Sequence, residues 1–376
     1  MALEVGPVRG GRDLALFVGL PYELHRHDPF WTPPLRRDVR VLLSPEKNPF
    51  FRHGAAEHLL ARRDGRVVGR ISAIENRLHN EFHGDRVGFF GFFDCADDPE
   101  AASALLEAAA TWTRRRGLAL LRGPASFSTN EEAGLLVEGF DTPSVLMMPH
   151  NPPYYERLLE GAGLRKAKDL LAYQRSVDGL PDRLAGASEL LRARYHVDLR
   201  PLDLARFDRE VDVVRGLYNQ AWERNWGFVP LTDAEIDFLA RQLRRVVVKE
   251  LVVFAERGKE PIGFAIALPD LNVALRANPS GRLFPGLVKV LWAARRIRRL
   301  RILLAGTRPE WRGKGVDALL YRHVWEAARA KGYDWAEAGW VLEDNHPMRN
   351  ALAKMGFEPY KTYRLYERDL TRPAVS

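Results

Sequence analysis

Strand-like and helix-like segments recur twice along the 376-residue chain in the same order, and this rhythm limits the possible folds more than any other feature. In the first half, residues 57–62 and 66–74 read as strands around the turn Asp64-Gly65, and the apolar run 87–93 follows. Asp98-Pro99-Glu100 then opens a helix to about residue 116, with Asp98 as its N-cap. Residues 118–122 form the next strand, 152–160 a helix and 170–177 a closing strand. The second half repeats the pattern: helices at 204–224 and 233–246 (capped by Thr232), strands at 251–256, 262–268 and 301–307, a helix at 313–330, a strand at 335–341, a helix at 347–355 and a strand at 359–367. Alternation of this kind predicts α/β domains, each with a mixed sheet flanked by helices. The expected division is 1–178, a linker region 179–199 with the linker itself around Pro181, and 200–376.

Composition narrows the function classes. Residues 1–20 carry Glu4, Arg9, Arg12 and Asp13, so no continuous apolar leader is present there, and no apolar run approaches the ~20 residues that span a bilayer. Cys95 is the single cysteine and cannot form an intrachain disulfide, so the expected compartment is the cytoplasm. The net charge of +8 favours anionic partners. No zinc finger, RNP motif or other common nucleic-acid module occurs, which argues against nucleic acid and leaves anionic lipid and phosphorylated cofactors.

The segment 301–330 carries the chemistry: an apolar strand, then Arg308-Pro309, then Arg312-Gly313-Lys314-Gly315 immediately before an amphipathic helix. Glycines at a helix N-terminus let backbone N–H groups approach an anion closely, and Arg312 and Lys314 add positive charge at the same point. The pattern is that of a pyrophosphate cradle. Downstream, Glu343-Asp344-Asn345-His346-Pro347 precedes Lys354-Met355-Gly356-Phe357.

The first of these segments resembles motif A of the GNAT superfamily of acyl-CoA-dependent N-acyltransferases, [QR]-x-x-G-x-[GA], through Arg312 and Gly315, with Asp317 where Gly or Ala is usual. The second resembles the family's asparagine, helix and K-x-G-F pattern, in which Asn345 and its helix lie beside the pantetheine arm. The resemblance implies acyl-CoA as cosubstrate, with Gly313, Lys314, Gly315 and Val316 at the phosphates. It also implies that the backbone of Ala305, Gly306 and Thr307 is splayed to hold the thioester carbonyl. Many members place a tyrosine acid four residues before the Gly-Phe pair. That position is Leu352, which leaves Tyr363 or Tyr366 for the role, or no acid at all. Acyl transfer needs a base for the amine proton, and Glu337, Glu343 and His346 lie nearest in sequence to the expected cleft. Glu337 also reads as a solvated strand face, and Glu343 or Asp344 as caps of the following helix.

At the equivalent point of the first half stand Asp94, Asp97, Asp98 and Glu100, without glycine, and like-charge repulsion argues against a second CoA site. Residues 1–178 are therefore expected to be a degenerate copy that shapes the acceptor pocket. The candidate contacts are His79, Asn80, Glu81 and His83 on a polar loop, Asn130 and Glu131 beyond a strand end, and His150, Asn151 and Tyr154. His79, Glu81 and His83 lack a third ligand at a suitable interval, and no metal is expected. Residues 270–300 form an insertion that is apolar first (Leu283 to Trp292) and basic second, the basic run (Arg295, Arg296, Arg298, Arg299) continuing to Arg301. It suits an anionic membrane surface, an acyl-chain groove or a sheet-edge cover.

The stretches PFWTPPLRRD, KNPFFRH, HNEFHGD, GFFGFFDC, STNEEAGLLVEGFDTP, MMPHNPPYY and EDNHPMRNALAKMGFEPYKTYRLYE resemble a tandem-GNAT group of bacterial proteins that includes the ceramide synthases. This resemblance implies transfer of a long acyl chain from acyl-CoA to a lipid amine such as a sphingoid base. Peripheral contact with the cytoplasmic face of the inner membrane would follow. A soluble-amine acetyltransferase and a non-catalytic CoA- or lipid-binding module are the other readings.

Overall fold

A computed structural model of the chain describes residues 2–179, 192, 194–222 and 226–371. The predicted linker around Pro181 lies outside them. The strands are β1 (Leu3–Pro7), β2 (Gly54–Arg63), β3 (Arg66–Asn76), β4 (Val87–Cys95), β5 (Leu120–Gly123), β6 (Leu135–Glu138), β7 (Arg165–Ser176), β8 (Val197–Pro201), β9 (Val252–Arg257), β10 (Glu260–Pro269), β11 (Arg299–Thr307), β12 (Trp335–Leu342) and β13 (Glu358–Asp369). The helices are α1 (Gly10–Leu24), α2 (Arg36–Leu42), α3 (Arg77–His83), α4 (Pro99–Arg115), α5 (Tyr154–Gly161), α6 (Phe207–Trp222), α7 (Asp233–Leu243), α8 (Asn272–Leu275), α9 (Gly286–Ala294), α10 (Val316–Ala330) and α11 (His346–Lys354).

The chain forms two compact units whose residues interleave in sequence. The first comprises Met1–Leu170, Ala274–Ala293 and Lys361–Ser376; the second comprises Leu171–Val273 and Ala294–Tyr360. These limits differ from the expected break at 178–200, because the C-terminal strand and most of the insertion belong to the first unit.

In the first unit β1 to β4 are antiparallel neighbours, β4 and β5 run parallel, and β13 pairs antiparallel with β5 and β6. Small residues on α4 (Ala101, Ala102, Ala109, Ala110) alternate with Leu105 and Leu106 by helical turns, and all are buried against β2 and β3. Phe17, Phe50, Phe89 and Phe127 build a second apolar cluster. In the second unit β8, β9, β10 and β11 are antiparallel and β11 runs parallel to β12. Val316, Leu319, Leu320, Val324, Trp325 and Ala328 of α10 recur at helical spacing and share a core with Leu300, Ile302, Ala336 and Ala338. Leu217 of α6 packs with Phe254 and Phe264 in a separate cluster.

Several local expectations are corrected. Residues 79–83 are helix α3 rather than loop: the Asn76 side chain accepts from the His79 amide at its start, and Gly84 at φ 64° ends it. The helix expected from residue 204 starts at Phe207, after a short 3-10 turn, Leu204–Arg206. Val197–Pro201, whose first three residues were assigned to the linker region, is an edge strand on β9.

Candidate active site

The N-terminus of α10 offers backbone donors that the described residues do not satisfy. Gly315 is its N-cap at φ 80°, with no side chain to accept from the first turn, and Gly313 stands at φ 72°. Among the described residues no group accepts from the amides of Gly313, Gly315, Val316, Asp317 or Ala318. Arg312, Gly313 and Lys314 are exposed, and the Lys314 ammonium lies 4.8 Å from the Trp311 ring centroid. Trp311, packed against Tyr195, anchors this loop. A helix dipole, unfilled amides and cationic side chains at one point fit a pyrophosphate. Asp317 is exposed in the same first turn.

The corresponding helix of the first unit is closed to an anion. The Asp98 carboxylate accepts from the Ala101 amide and pairs with Arg63. Its neighbours are paired too: Glu100 with Arg63, Asp97 with Arg157, and Asp94 with Arg70. Self-capping of this helix, more than repulsion among bare carboxylates, removes the cradle.

Strand β11 parts from β12 beside the α10 cradle. Their parallel register runs only from Arg299 to Ile302 against Trp335 to Ala338. The remainder of β11 stays paired to β10, whose register skips Leu303 between Ile266 and Ala267. A bulge of this kind bends a strand. The backbone of Ala305, Gly306 and Thr307 thus has a paired edge on β10 and no partner on β12 among the described residues.

Of the base candidates, Glu337 is fully buried, in contrast to the solvated face that its position allowed. It sits opposite Arg301 in the β11–β12 register, with the guanidinium 3.7 Å away, and Tyr360 donates to its other oxygen. Burial raises its pKa above the ordinary carboxylate range, outweighing Arg301 and Tyr360, which pull the other way. Arg301 also donates to the Gly339 carbonyl at 2.8 Å. Glu343 is half-buried, its carbonyl accepting from Arg349, and His346 is exposed at the start of α11. The cap of α11 is neither Glu343 nor Asp344 but Asn345, whose side-chain oxygen accepts from the Met348 amide at 3.2 Å. Leu352 is core. Tyr363 and Tyr366 belong to the first unit, buried, with hydroxyls on Ser144 and Glu156.

The candidate acceptor contacts divide. Asn80 bonds both ways with Val87, Asn151 bonds both ways with Leu136, and Tyr154 donates to the Cys95 carbonyl, so these three are structural. His79 is buried between His83 and Phe89, and its pKa falls to about 3 through burial, with His83 and Arg122 adding to the effect. Glu81 is exposed, while Asn130 and Glu131 lie on an irregular loop. His150 pairs with Asp28 at 2.8 Å. Arg301, read from the sequence as part of a solvent- or lipid-facing basic run, is instead buried beside Glu337, and Tyr360 and Asp28 were missed because their partners lie 23 and 122 residues away. No group of His, Cys, Asp and Glu arranged to hold a metal ion occurs among the described residues.

A glycine-capped helix beside a strand that leaves its parallel neighbour is the working arrangement of a CoA-dependent acyltransferase, and the chain belongs to the tandem branch of the GNAT family of N-acyltransferases. The Acetyltransferase (GNAT) family model matches residues 212–357. The chain is 38% identical over 376 residues to the bacterial ceramide synthase of Caulobacter vibrioides, covering 98% of each. It is 37% identical over 365 residues to Protein YghO of Escherichia coli, covering 95% of this chain and 93% of that one. Among solved structures, a tandem GNAT protein from the clavulanic acid biosynthesis pathway matches 99% of this chain and 100% of its own at TM-score 0.59 and 16% identity. The family takes acyl-CoA as cosubstrate and an amine as acceptor.

Proposed function

We propose that this chain transfers a long acyl group from acyl-CoA to the amino group of a lipid acceptor, a sphingoid base being the best candidate. The observation that carries the reading is the set of unfilled amides at the start of α10, next to the parted strands. The Caulobacter relative, similar along nearly the whole chain, directs it toward a lipid amine. In the reaction the neutral amine attacks the thioester carbonyl. The C–N bond forms, the C–S bond breaks, the CoA thiolate leaves and the amine proton passes to a base. Amides on the open edge of β11 would stabilise the oxyanion. Glu337, whose proton affinity burial raises, is the base candidate we favour.

The test is purified protein with acyl-CoAs from acetyl to palmitoyl and sphinganine or 3-ketosphinganine, following thiol release and product mass. Acceptor-dependent release with long chains, together with an amide product, is expected. Release with acetyl-CoA and soluble amines alone would assign an ordinary acetyltransferase.

We also propose that α9 seats the protein on an anionic membrane. No helix among the described residues is long and apolar enough to cross a bilayer. Phe284, Val288, Leu291 and Trp292 are nevertheless 72%, 66%, 60% and 56% exposed, and the last three share one face of α9. Lys289 on the same helix, Arg282 before it and Arg295 and Arg296 after it in sequence are all exposed. An apolar wedge flanked by cations suits anionic lipid, at ~1 kcal/mol per basic residue near the surface. The double variant L291E/W292E should lose more than about tenfold in retention on anionic vesicles, by co-sedimentation, with CoA affinity unchanged. Equal retention would overturn the assignment.

A further inference from the structure

The first unit contains two histidine–aspartate pairs built on one turn. His25 and Asp28 are its ends, with the Asp28 amide donating to the His25 carbonyl at 3.0 Å. His25 Nε2 lies 2.8 Å from Asp94, and His150 Nε2 lies 2.8 Å from Asp28. Each carboxylate is fixed from its other side. Arg70 holds Asp94 at 2.7 Å, and the Phe30 and Trp31 amides hold Asp28 at 2.8 and 3.3 Å. An ionised carboxylate only accepts hydrogen bonds, so Nε2 carries the proton in both imidazoles and Nδ1 presents a lone pair when the ring is neutral.

Both Nδ1 atoms are buried, and no protein group among the described residues reaches either one. The Thr32 and Thr142 hydroxyls are buried and unpartnered as well. Thr32 follows Trp31, whose ring centroid lies 5.2 Å from that of His25. The Thr142 carbonyl accepts from Lys361, a cation that, with His25, lowers the proton affinity of His150. Burial is the larger cause of that lowering and Asp28 opposes it. Most buried polar atoms in folded proteins find a partner, and the two Nδ1 atoms belong to histidines tied to one turn through His25 and Asp28. Asp28, Trp31 and His150 are half-buried, so the pairs lie just beneath the surface.

We propose that His25 and His150 form a site accepting two hydrogen bonds from neighbouring donors of one ligand, the amine and hydroxyl of a 2-amino alcohol. Asp94 and Asp28 act as positioning residues that fix the tautomers. The choice of ligand rests on the lipid-amine reading above; the accepting site itself does not.

Glutamine at either histidine keeps a donor for the carboxylate and deletes the Nδ1 acceptor. Calorimetry with a short-chain 2-amino-1,3-diol lipid below its micelle concentration, without acyl-CoA, should show at least 30-fold weaker binding to H25Q/H150Q than to the wild type. CoA affinity should stay within twofold, and an unchanged circular-dichroism spectrum and melting temperature report that the substituted unit is folded. In the wild type labelled with 15N-histidine, both Nδ1 resonances should move on adding the amino diol. Unmoved resonances, or equal amino-diol affinity in the double variant, would overturn the site and leave the nitrogens serving a buried water only. Binding without acyl transfer would overturn the reaction and leave the site standing. Acyl transfer with unchanged amine affinity in H25Q/H150Q would do the reverse.

Discussion

Gly315→Glu should reduce CoA affinity at least 100-fold by calorimetry, about 2.7 kcal/mol, while the variant remains folded. Two effects combine at this position. Gly315 stands at φ 80°, where a residue with a Cβ is strained by roughly 1–2 kcal/mol. The new carboxylate would also compete for the amides that α10 now leaves unfilled, and would repel a phosphate at the same point. Gly313→Ala separates the terms. A Cβ there meets nothing within 4 Å, so only the strain of φ 72° is felt, and CoA binding should weaken far less. Wild-type affinity in Gly315→Glu would mean that the cradle lies elsewhere.

Glu337→Ala should destabilise the second unit by about 3 kcal/mol in urea unfolding, because it empties a fully buried position and removes the acceptor of the Tyr360 hydroxyl. Glu337→Gln should be milder, since an amide oxygen can still accept from Tyr360. The pH dependence follows from the sign of the shift. The native pKa of Glu337 is raised by burial, so the native state holds its proton more tightly than the unfolded chain. The resulting stability is fully present below the ordinary carboxylate value of about 4.3 and is lost as pH rises through the native pKa. Wild-type stability relative to E337Q should therefore decline across that window. If it rose instead, the carboxylate would be ionised and held by Arg301. If Glu337 is the base, E337Q should also lose activity with acyl-CoA binding retained.

Segments whose signals are local were legible from the sequence. The alanine-leucine face of α4 behind an Asp98-Pro99 start, and the apolar face of α10, lie where periodicity put them. Helix α10 begins three residues after the expected 313 because Gly313 and Gly315 both take left-handed backbone. Helix α3 was missed because its capping Asn76 ends a strand and its face is histidine and asparagine rather than aliphatic. The glycine-capped start of α10 was legible because glycines and cations crowd into four consecutive residues. The Glu337–Arg301 pair was not, because it exists only through the parallel register of strands 36 positions apart in sequence. The same holds for His25 and Asp94, separated by 69 positions.

The interleaved path of the chain has a consequence for its inheritance. Strand β13 pairs with β5 and β6, so the first unit is completed only after the second has been translated. A gene cut near codon 190 would give an N-terminal product lacking both its last strand and the stretch Ala274–Ala293. No single recombination point exchanges one unit cleanly for a homologue's. The two units must be passed on together, so a first unit without a phosphate cradle would be retained with its partner even where it performs no acyl transfer of its own.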